Sequence, residues 1–135
     1  MPIYHLDTNI CITFLREGKK ADTVRRKILL HTRRNIAIPA VVSAELMYGA
    51  SKSNNADNKD KVERFLRKFE IVPLDFEVSR AYGDIRTALE RKGQRIGYHD
   101  MLIAATALTF RAVLVTNNTR EFSRIDGLLL DDWTI

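Results

Sequence analysis

The sequence of 135 residues is poor in the residues that mark several classes of protein. A single cysteine, Cys11, excludes a disulfide framework within the chain and any zinc site built on cysteines. Six glycines and three prolines are too few for a fibrous or low-complexity chain, whereas a hydrophobic fraction of 45% is ordinary for a globular protein. These absences favour one globular domain over residues 1–135, a length typical of a single core.

Long apolar runs are missing as well. The longest uncharged apolar stretch, Met101 to Phe110, is about half of the roughly 20 residues needed to span a bilayer. No basic residue precedes the apolar residues near the N-terminus, and Asp7 interrupts them, which is not the pattern of a signal peptide. We therefore expect a soluble, cytoplasmic protein with no membrane partner.

The net charge of +5 is concentrated in one segment. Residues 16–34 carry eight basic and two acidic side chains, so the rest of the chain is close to neutral. A localised basic segment fits a phosphate-rich partner such as RNA, although a solvated helix face explains it about equally well. The candidate RNA-binding residues are Lys19, Lys20, Arg25, Arg26, Lys27, Arg33 and Arg34.

Alternating strand and helix signals predict an α/β fold. Strands joined through helices lie parallel with right-handed crossovers, and reactive groups collect beyond their carboxyl ends. Residues 51–61 read as a polar connection between two helices. Short strands are predicted at residues 3–6, 36–38, 71–74, 112–115 and, at the sheet edge, 128–130. Helices are predicted at residues 8–15, 21–32, 41–51, 62–69, 78–89 and 100–109.

Four acidic residues stand in apolar sequence: Asp7, Glu45, Asp100 and Glu121. Buried carboxylates are costly unless they are paired, hydrogen-bonded or metal-bound, and no lysine or arginine is close in sequence to the first three. If the fold brings them together, two carboxylates 4 Å apart repel each other by about 4 kcal/mol at an effective dielectric of about 20. A divalent cation would relieve that repulsion. Ligands that are all oxygen favour Mg²⁺, with Mn²⁺ able to substitute, over zinc.

Each of these carboxylates also has a purely structural explanation. Asp7 and Asp100 could each cap a helix. Glu45 could pair with an arginine that is distant in sequence, and Glu121 could belong to a surface ion pair. All four explanations would have to hold at once, which favours a shared site.

Polar neighbours strengthen that interpretation. Two pairs of side chains stand where they could orient a carboxylate or a metal-bound water, after the first strand and after the strand at 112–115. These are Thr8, Asn9, Thr116 and Asn117. The histidines suggest no site of their own, and His5 is expected to be a strand residue with a hydrogen-bonded ring.

Four motifs, in order, resemble those of the PIN-domain toxins of the VapC type. They are LDTNI at 6–10, SAELMYGA at 43–50, IGYHDMLIAATAL at 96–108 and VTNNTREF at 115–122, followed by a GLLLDDW tail. The resemblance covers essentially the whole chain. It implies a single PIN domain at residues 1–135, folded as a three-layer α/β/α sandwich with a mostly parallel central sheet.

The resemblance also implies the catalytic and metal-binding residues. Asp7, Glu45 and Asp100 match the three invariant acidic positions of the family. In relatives with the TNN form, the acidic residue of the REF segment serves as the fourth, here Glu121. Two points stay open: whether Glu121 or Asn117 completes the site, and whether Glu45 and Glu121 reach the metal directly or through water.

The implied activity is that of a Mg²⁺-dependent endoribonuclease from a toxin–antitoxin pair, which leaves a 5′-phosphate and a 3′-hydroxyl. Implied substrates are structured RNAs, tRNA or ribosomal RNA, with the anticodon stem-loop of initiator tRNA favoured. Implied partners are a second copy of the chain, in a homodimer, and a VapB-type antitoxin, in a hetero-oligomer. The antitoxin would lie in a groove involving the first helix and residues 46–69, and DNA would be contacted only through it.

Two other functions compete with the ribonuclease. In a phosphatase of the haloacid-dehalogenase type, Asp7 would be the phosphorylated nucleophile, but such enzymes carry a second aspartate two residues on, where this chain has Asn9. A non-catalytic PIN module that only binds RNA or a partner protein would be expected to lose its acidic residues, yet the three central ones are intact.

Overall fold

A parallel five-stranded sheet forms the centre of the computed structural model, which describes residues 2–135. The strands lie in the order β3-β2-β1-β4-β5, and every neighbouring pair is parallel. The predicted α/β fold with a parallel sheet and a last strand at its edge is confirmed. The strands are β1 (Tyr4–Leu6), β2 (Ile36–Pro39), β3 (Glu70–Val72), β4 (Val113–Val115) and β5 (Leu129–Asp131).

Helices flank the sheet on both sides. The chain steps from β1 to β2 to β3 in one direction, and then crosses to β4 and β5 on the other side of β1. Right-handed crossovers in opposite directions place their helices on opposite faces. The helices are α1 (Thr8–Leu15), α2 (Lys19–Leu29), α3 (Ala40–Lys52), α4 (Ala56–Leu66), α5 (Phe76–Arg91), α6 (Tyr98–Thr109) and α7 (Thr119–Phe122). Within residues 2–135, none of them has both the length and the hydropathy to cross a membrane.

The reversal of direction lies between β1 and β4. In open parallel sheets, ligands bind in the crevice beyond the carboxyl ends of the strands at such a reversal. Asp7 directly follows β1, and its N–H donates to the carbonyl of Val115 at the end of β4, at 2.9 Å. Thr116 comes next after β4. The topology therefore places Asp7 and Thr116 side by side at the crevice.

The core is built from the strands and from one face of each long helix. Leu46 and Ala50 of α3 point inward as predicted, and α6 is buried from Met101 to Ala107 except at Leu102. Cys11 is fully buried and free. Burial of these apolar faces supplies the main favourable contribution to folding.

Several predicted boundaries are wrong. Residues 51–61 are mostly helical, because α3 continues to Lys52 and Asn55 then caps α4 by accepting a hydrogen bond from the N–H of Asn58 at 3.1 Å. The predicted helix at 21–32 ends at Leu29, and residues Arg33–Asn35 form a 3-10 turn. The helix α7 was not predicted, because a single turn is too short for apolar periodicity to reveal.

The expectation of a hydrogen-bonded His5 ring is also wrong. His5 is 1% exposed, and among residues 2–135 no group pairs with its Nδ1 atom. Burial lowers the pKa of His5 to about 4, because desolvation disfavours the charged imidazolium. The ring is therefore neutral in the folded protein across the physiological range.

This lowered pKa predicts acid sensitivity that depends on one side chain. The unfolded chain, with an ordinary histidine pKa, takes up the proton first, so the free energy of unfolding should fall as the pH drops from about 6.5 to about 4. The share from His5 should approach about 3 kcal/mol at the acid end. Urea unfolding of the wild type and of His5→Leu across this range measures it. Parallel pH profiles for the two proteins would contradict the prediction.

Candidate active site

Three of the predicted carboxylates line one open cavity of about 600 Å³ at the carboxyl edge of the sheet. They come from three places in the chain: Asp7 follows β1, Glu45 lies on α3 and Asp100 lies in the first turn of α6. The cavity is otherwise lined by Thr8, Asn9, Ile12, Val41, Ala44, Tyr48 and His99. The fold thus gathers carboxylates that are up to 93 positions apart in the sequence.

Asp7 is the most firmly held of the three. It is 3% exposed, and both of its carboxylate oxygens accept hydrogen bonds at 2.8 Å, one from the N–H of Thr8 and one from the hydroxyl of Thr116. Burial raises the pKa of Asp7, the two hydrogen bonds oppose that rise, and the charge of Glu45 adds to it. Asp7 also caps α1, so the capping explanation holds. It does not explain why other carboxylates lie close to Asp7.

Glu45 is tied to the same cluster. Its Oε1 accepts a hydrogen bond from the hydroxyl of Thr8 at 3.0 Å, and its Oε2 lies 3.4 Å from Nδ1 of His99. In the described part of the chain, its ion-pair partner is therefore a histidine and not the arginine that the structural explanation required. Thr8 connects Asp7 and Glu45, since its N–H contacts the first and its hydroxyl the second.

Asp100 shows how burial in the cavity and the neighbouring charges change the pKa of an acidic group. Its pKa is raised to about 6, first by burial and then by the negative charges of Asp7, Glu121 and Glu45, with His99 opposing the rise. The N-cap of α6 is Gly97, so Asp100 does not serve as the cap. Burial is the larger cause, but the added effect of three neighbouring carboxylates means that a positive charge would be favoured at this site.

Glu121 lies beside the cavity on α7 and is held by a residue that the sequence analysis did not select. The side-chain N–H of Asn118 donates to its Oε2 at 3.2 Å, and the Asn118 backbone N–H donates to the hydroxyl of Thr116 at 3.0 Å. Asn117, which was selected, is exposed. The two adjacent asparagines look alike in sequence, and only the conformation of the turn decides which one faces Glu121.

The oxygen ligands of this site suit a hard divalent cation better than zinc. Within residues 2–135, no three His, Cys, Asp or Glu side chains are close enough together to hold one ion as they stand. Ligation of an ion by several of them therefore requires side-chain rotations. Glu45, Asp100 and Glu121 are each partly exposed, whereas Asp7 is buried and held by two hydrogen bonds.

The basic segment does not form one continuous surface beside this cavity. The guanidinium of Arg25 donates to the carbonyls of Phe14 and Arg16 at 2.8 and 3.0 Å, which ties α2 to the end of α1. Arg33 and Arg34 lie in the 3-10 turn before β2, at the amino-terminal ends of the strands, whereas Asp7 lies at the carboxyl ends. The exposed basic side chains that remain on α2 are Lys19, Lys20 and Arg26.

Comparison with known proteins gives a consistent assignment. The PIN domain family matches residues 4–128. Ribonuclease VapC2 of Rickettsia felis is 44% identical over 133 residues, which are 97% of this chain and 98% of the relative. The tRNA(fMet)-specific endonuclease VapC of Salmonella typhimurium is 38% identical, over 96% of this chain and 97% of its own length.

Solved structures agree with the sequence relatives. The VapBC2 structure from Rickettsia felis, bound to a DNA fragment from its promoter, has a chain with a TM-score of 0.89 and 43% identity over 97% of this chain and 98% of that chain. The DNA-bound VapBC structure from Salmonella typhimurium has a chain with a TM-score of 0.91 and 38% identity, over 98% of this chain and 99% of that chain. With a family match over most of its length and relatives that it covers almost completely, the chain belongs to the PIN-domain family, in its VapC group.

Proposed function

We propose that the chain is the toxin of a toxin–antitoxin pair and cleaves RNA in the cytoplasm as a Mg²⁺-dependent endoribonuclease. The observation that carries this proposal is the gathering of Asp7, Glu45 and Asp100 around one open cavity, with Glu121 close enough to raise the pKa of Asp100. The names of the relatives, ribonuclease and tRNA(fMet)-specific endonuclease, support the same activity.

The residues of the site divide into fixed and mobile groups. Asp7, held by Thr8 and Thr116, would be the fixed ligand, and Glu45 and Asp100 would rotate toward it. Glu121, oriented by Asn118, would act from the side, through water. A divalent cation in this position would lower the pKa of a coordinated water and neutralise charge on the scissile phosphate.

No side-chain nucleophile is required for this reaction. Water attacks phosphorus in line with the leaving 3′-oxygen, so the products carry a 5′-phosphate and a 3′-hydroxyl. Cys11 and His5 are buried in the core, so neither can reach a phosphate from the cavity. His99 is exposed and pairs with Glu45, which makes it a positioning residue in this scheme.

The favoured substrate is initiator tRNA, cut in its anticodon stem-loop. This assignment is supported by the relative from Salmonella typhimurium, which is named as specific for tRNA(fMet) and matches nearly the whole chain. Ribosomal RNA is the next candidate. The exposed basic residues of α2 would contact backbone phosphates of either RNA without reading its sequence.

A VapB-type antitoxin is the proposed partner, because the similar solved structures are VapBC complexes. A groove of about 220 Å³ lies between α1 and α4, where the resemblance places the antitoxin. Its floor is apolar, and its rim is basic, which suits an acidic amphipathic segment. The lining residues are Phe14, Leu15, Arg25, Lys61, Arg64, Phe65 and Lys68. A homodimer within a larger complex, with DNA bound through the antitoxin, completes the proposal.

The competing functions find less support. The phosphatase would need a lysine near Asp7, and the polar contacts of Asp7 in the described residues are the donors Thr8 and Thr116. A purely binding module would gain nothing from neighbouring carboxylate charges that raise the pKa values of Asp7 and Asp100. The family match also favours the nuclease.

The first prediction concerns cleavage itself. Purified protein incubated with total tRNA and Mg²⁺ should give discrete cuts with 5′-phosphates, mainly in initiator tRNA, and EDTA should stop them. Asp7→Asn should lower the rate by about a thousand-fold or more, because the fixed metal ligand loses its charge. Glu77→Gln, which changes an exposed carboxylate on α5, is the matched control and should cut normally. Cuts that survive both EDTA and Asp7→Asn would refute the metal mechanism.

The second prediction concerns stability without metal. Because the pKa of Asp100 in the folded protein, about 6, lies above its unfolded value, its ionisation costs stability as the pH rises from about 4 to above 6. Asp100→Asn should therefore raise the free energy of unfolding at pH 7.5 by about 1 kcal/mol, an amount reduced by solvent screening.

Thermal melts at pH 7.5 and pH 4 in EDTA measure this effect. The gain should become much smaller at pH 4, where Asp100 is protonated in the folded state and partly protonated in the unfolded state. Mg²⁺ should raise the melting temperature of the wild type more than that of Asp100→Asn. A lower melting temperature for Asp100→Asn at pH 7.5 would instead indicate a structural role.

The third prediction separates the two adjacent asparagines. Asn118→Ala removes the donor to Glu121 and should lower the cleavage rate by about ten-fold, as expected when a residue that orients a metal ligand is lost. Asn117→Ala, one position away and exposed, should leave the rate within about two-fold. Single-turnover rates on the same tRNA compare them. The reverse order of effects would place Asn117, and not Asn118, in the site.

A further inference from the structure

Part of the cavity wall is not used by the proposed chemistry. Beside the carboxylates, this part of the wall is lined by aliphatic side chains and one large aromatic ring. These residues are Ile12, Val41, Ala44 and Tyr48. A metal site alone does not require such a surface, and a phosphate does not favour it. A flat, apolar ligand attached to a phosphate matches both the apolar part of the lining and the acidic part that would hold a cation, and a nucleotide of RNA has that composition.

Tyr48 is the prominent feature of this wall. It is 66% exposed, on the side of α3 away from the buried residues Leu46 and Ala50. An aromatic ring left in water on the rim of a cavity forgoes the free energy of burial unless a ligand covers it. The neighbouring Gly49 leaves the surface open, because a side chain there would meet no atom within 4 Å. A base therefore has room to approach the ring.

Tyr48 belongs to a row of three side chains on α3. Glu45, Tyr48 and Lys52 are spaced i, i+3 and i+7, so they share one face of the helix. Along the axis, the aromatic residue lies roughly 4.5 Å and the lysine roughly 10 Å from the glutamate. The Lys52 ammonium lies 6.0 Å from the centre of the Tyr48 ring. The row runs outward from the site as carboxylate, ring and cation.

We propose that this row is a subsite for one nucleotide of the RNA strand: a base next to the scissile phosphate stacks on Tyr48, and the following phosphate contacts Lys52. The inference rests on the proposed ribonuclease function. Stacking on an aromatic ring tolerates any base, because every base has a π-face. The subsite would therefore hold an unpaired nucleotide, so a loop should suit this cavity better than a duplex.

Binding measurements test the subsite apart from catalysis. The probe is a fluorescently labelled single-stranded RNA, compared with the same chain lacking its bases, in Mg²⁺ and in an Asp7→Asn background that does not cut. Tyr48→Ala should weaken binding of the RNA about ten-fold or more, the loss expected for one stacked base. It should leave binding of the abasic chain unchanged, and Tyr48→Phe should bind both probes like the parent.

The lysine gives an independent measurement. Lys52→Gln should weaken binding of both probes to the same extent and reduce the dependence on salt, because it removes a phosphate contact. Lys59→Gln, an exposed lysine on α4, is the matched control and should change little. Phe110→Ala is the control for the ring, since Phe110 is an exposed aromatic residue at the far end of α6.

Each outcome decides the proposal. Equal binding by Tyr48→Ala and its parent overturns the subsite, and so does a parent that binds no RNA. If Tyr48→Ala changes the oligomeric mass and leaves RNA binding intact, Tyr48 is a protein contact and the proposal fails. A wild type that does not cleave, but shows the expected binding pattern, refutes the nuclease and keeps the subsite. If the wild type cleaves normally but Tyr48→Ala binds RNA like its parent, the nuclease is supported and the subsite is refuted.

Discussion

Mutual repulsion among carboxylates is the constraint that organises the carboxyl edge of this sheet. Asp7 and Asp100 both have raised pKa values, and each is raised in part by the charge of another carboxylate of the cluster. Stability alone would not retain such a cluster, because replacing one charge would relieve the others. The hydroxyls of Thr8 and Thr116 hold the acidic groups in place and do not neutralise them. The arrangement is therefore stable only as far as the rest of the core compensates for it, and under the proposed function a cation would relieve the repulsion.

The topology places these groups together without any long loop. The helices α1 and α3 directly follow β1 and β2, so their first turns lie at the carboxyl edge of the sheet. The helix α6 follows α5, and its first turn brings Asp100 to the same cavity. Asp7 stands at the start of α1 and Asp100 in the first turn of α6. The partial positive charge at these helix starts offsets some of the repulsion. The reversal of strand order between β1 and β4 then opens the crevice in which the carboxylates meet.

The sequence alone predicted what depends on apolar context and missed what depends on turn geometry. Asp7, Glu45 and Asp100 were selected because each stands in apolar sequence, and the structure places all three in one cavity. Asn118 was missed, because nothing in a run of two asparagines shows which one turns toward Glu121. The burial of His5 Nδ1 with no hydrogen-bond partner among residues 2–135 is a tertiary property that a three-residue strand cannot reveal. The basic segment is one run in the sequence, but the fold divides it between α2 and the turn before β2, at the amino-terminal ends of the strands.

Under the proposed function, this protein both attracts and repels the phosphates of RNA, and the attraction acts over the longer distance. The net charge of +5 and the exposed lysines of α2 attract phosphates over roughly a Debye length, about 8 Å at physiological ionic strength. The carboxylates repel the same phosphates at contact distance, where solvent screens less. Attraction without a cation would bring RNA to the surface but not into the cavity, so the divalent ion controls entry as well as chemistry. Because only the longer-ranged interaction is strongly weakened by salt, binding to the surface and cleavage in the cavity should respond differently to ionic strength.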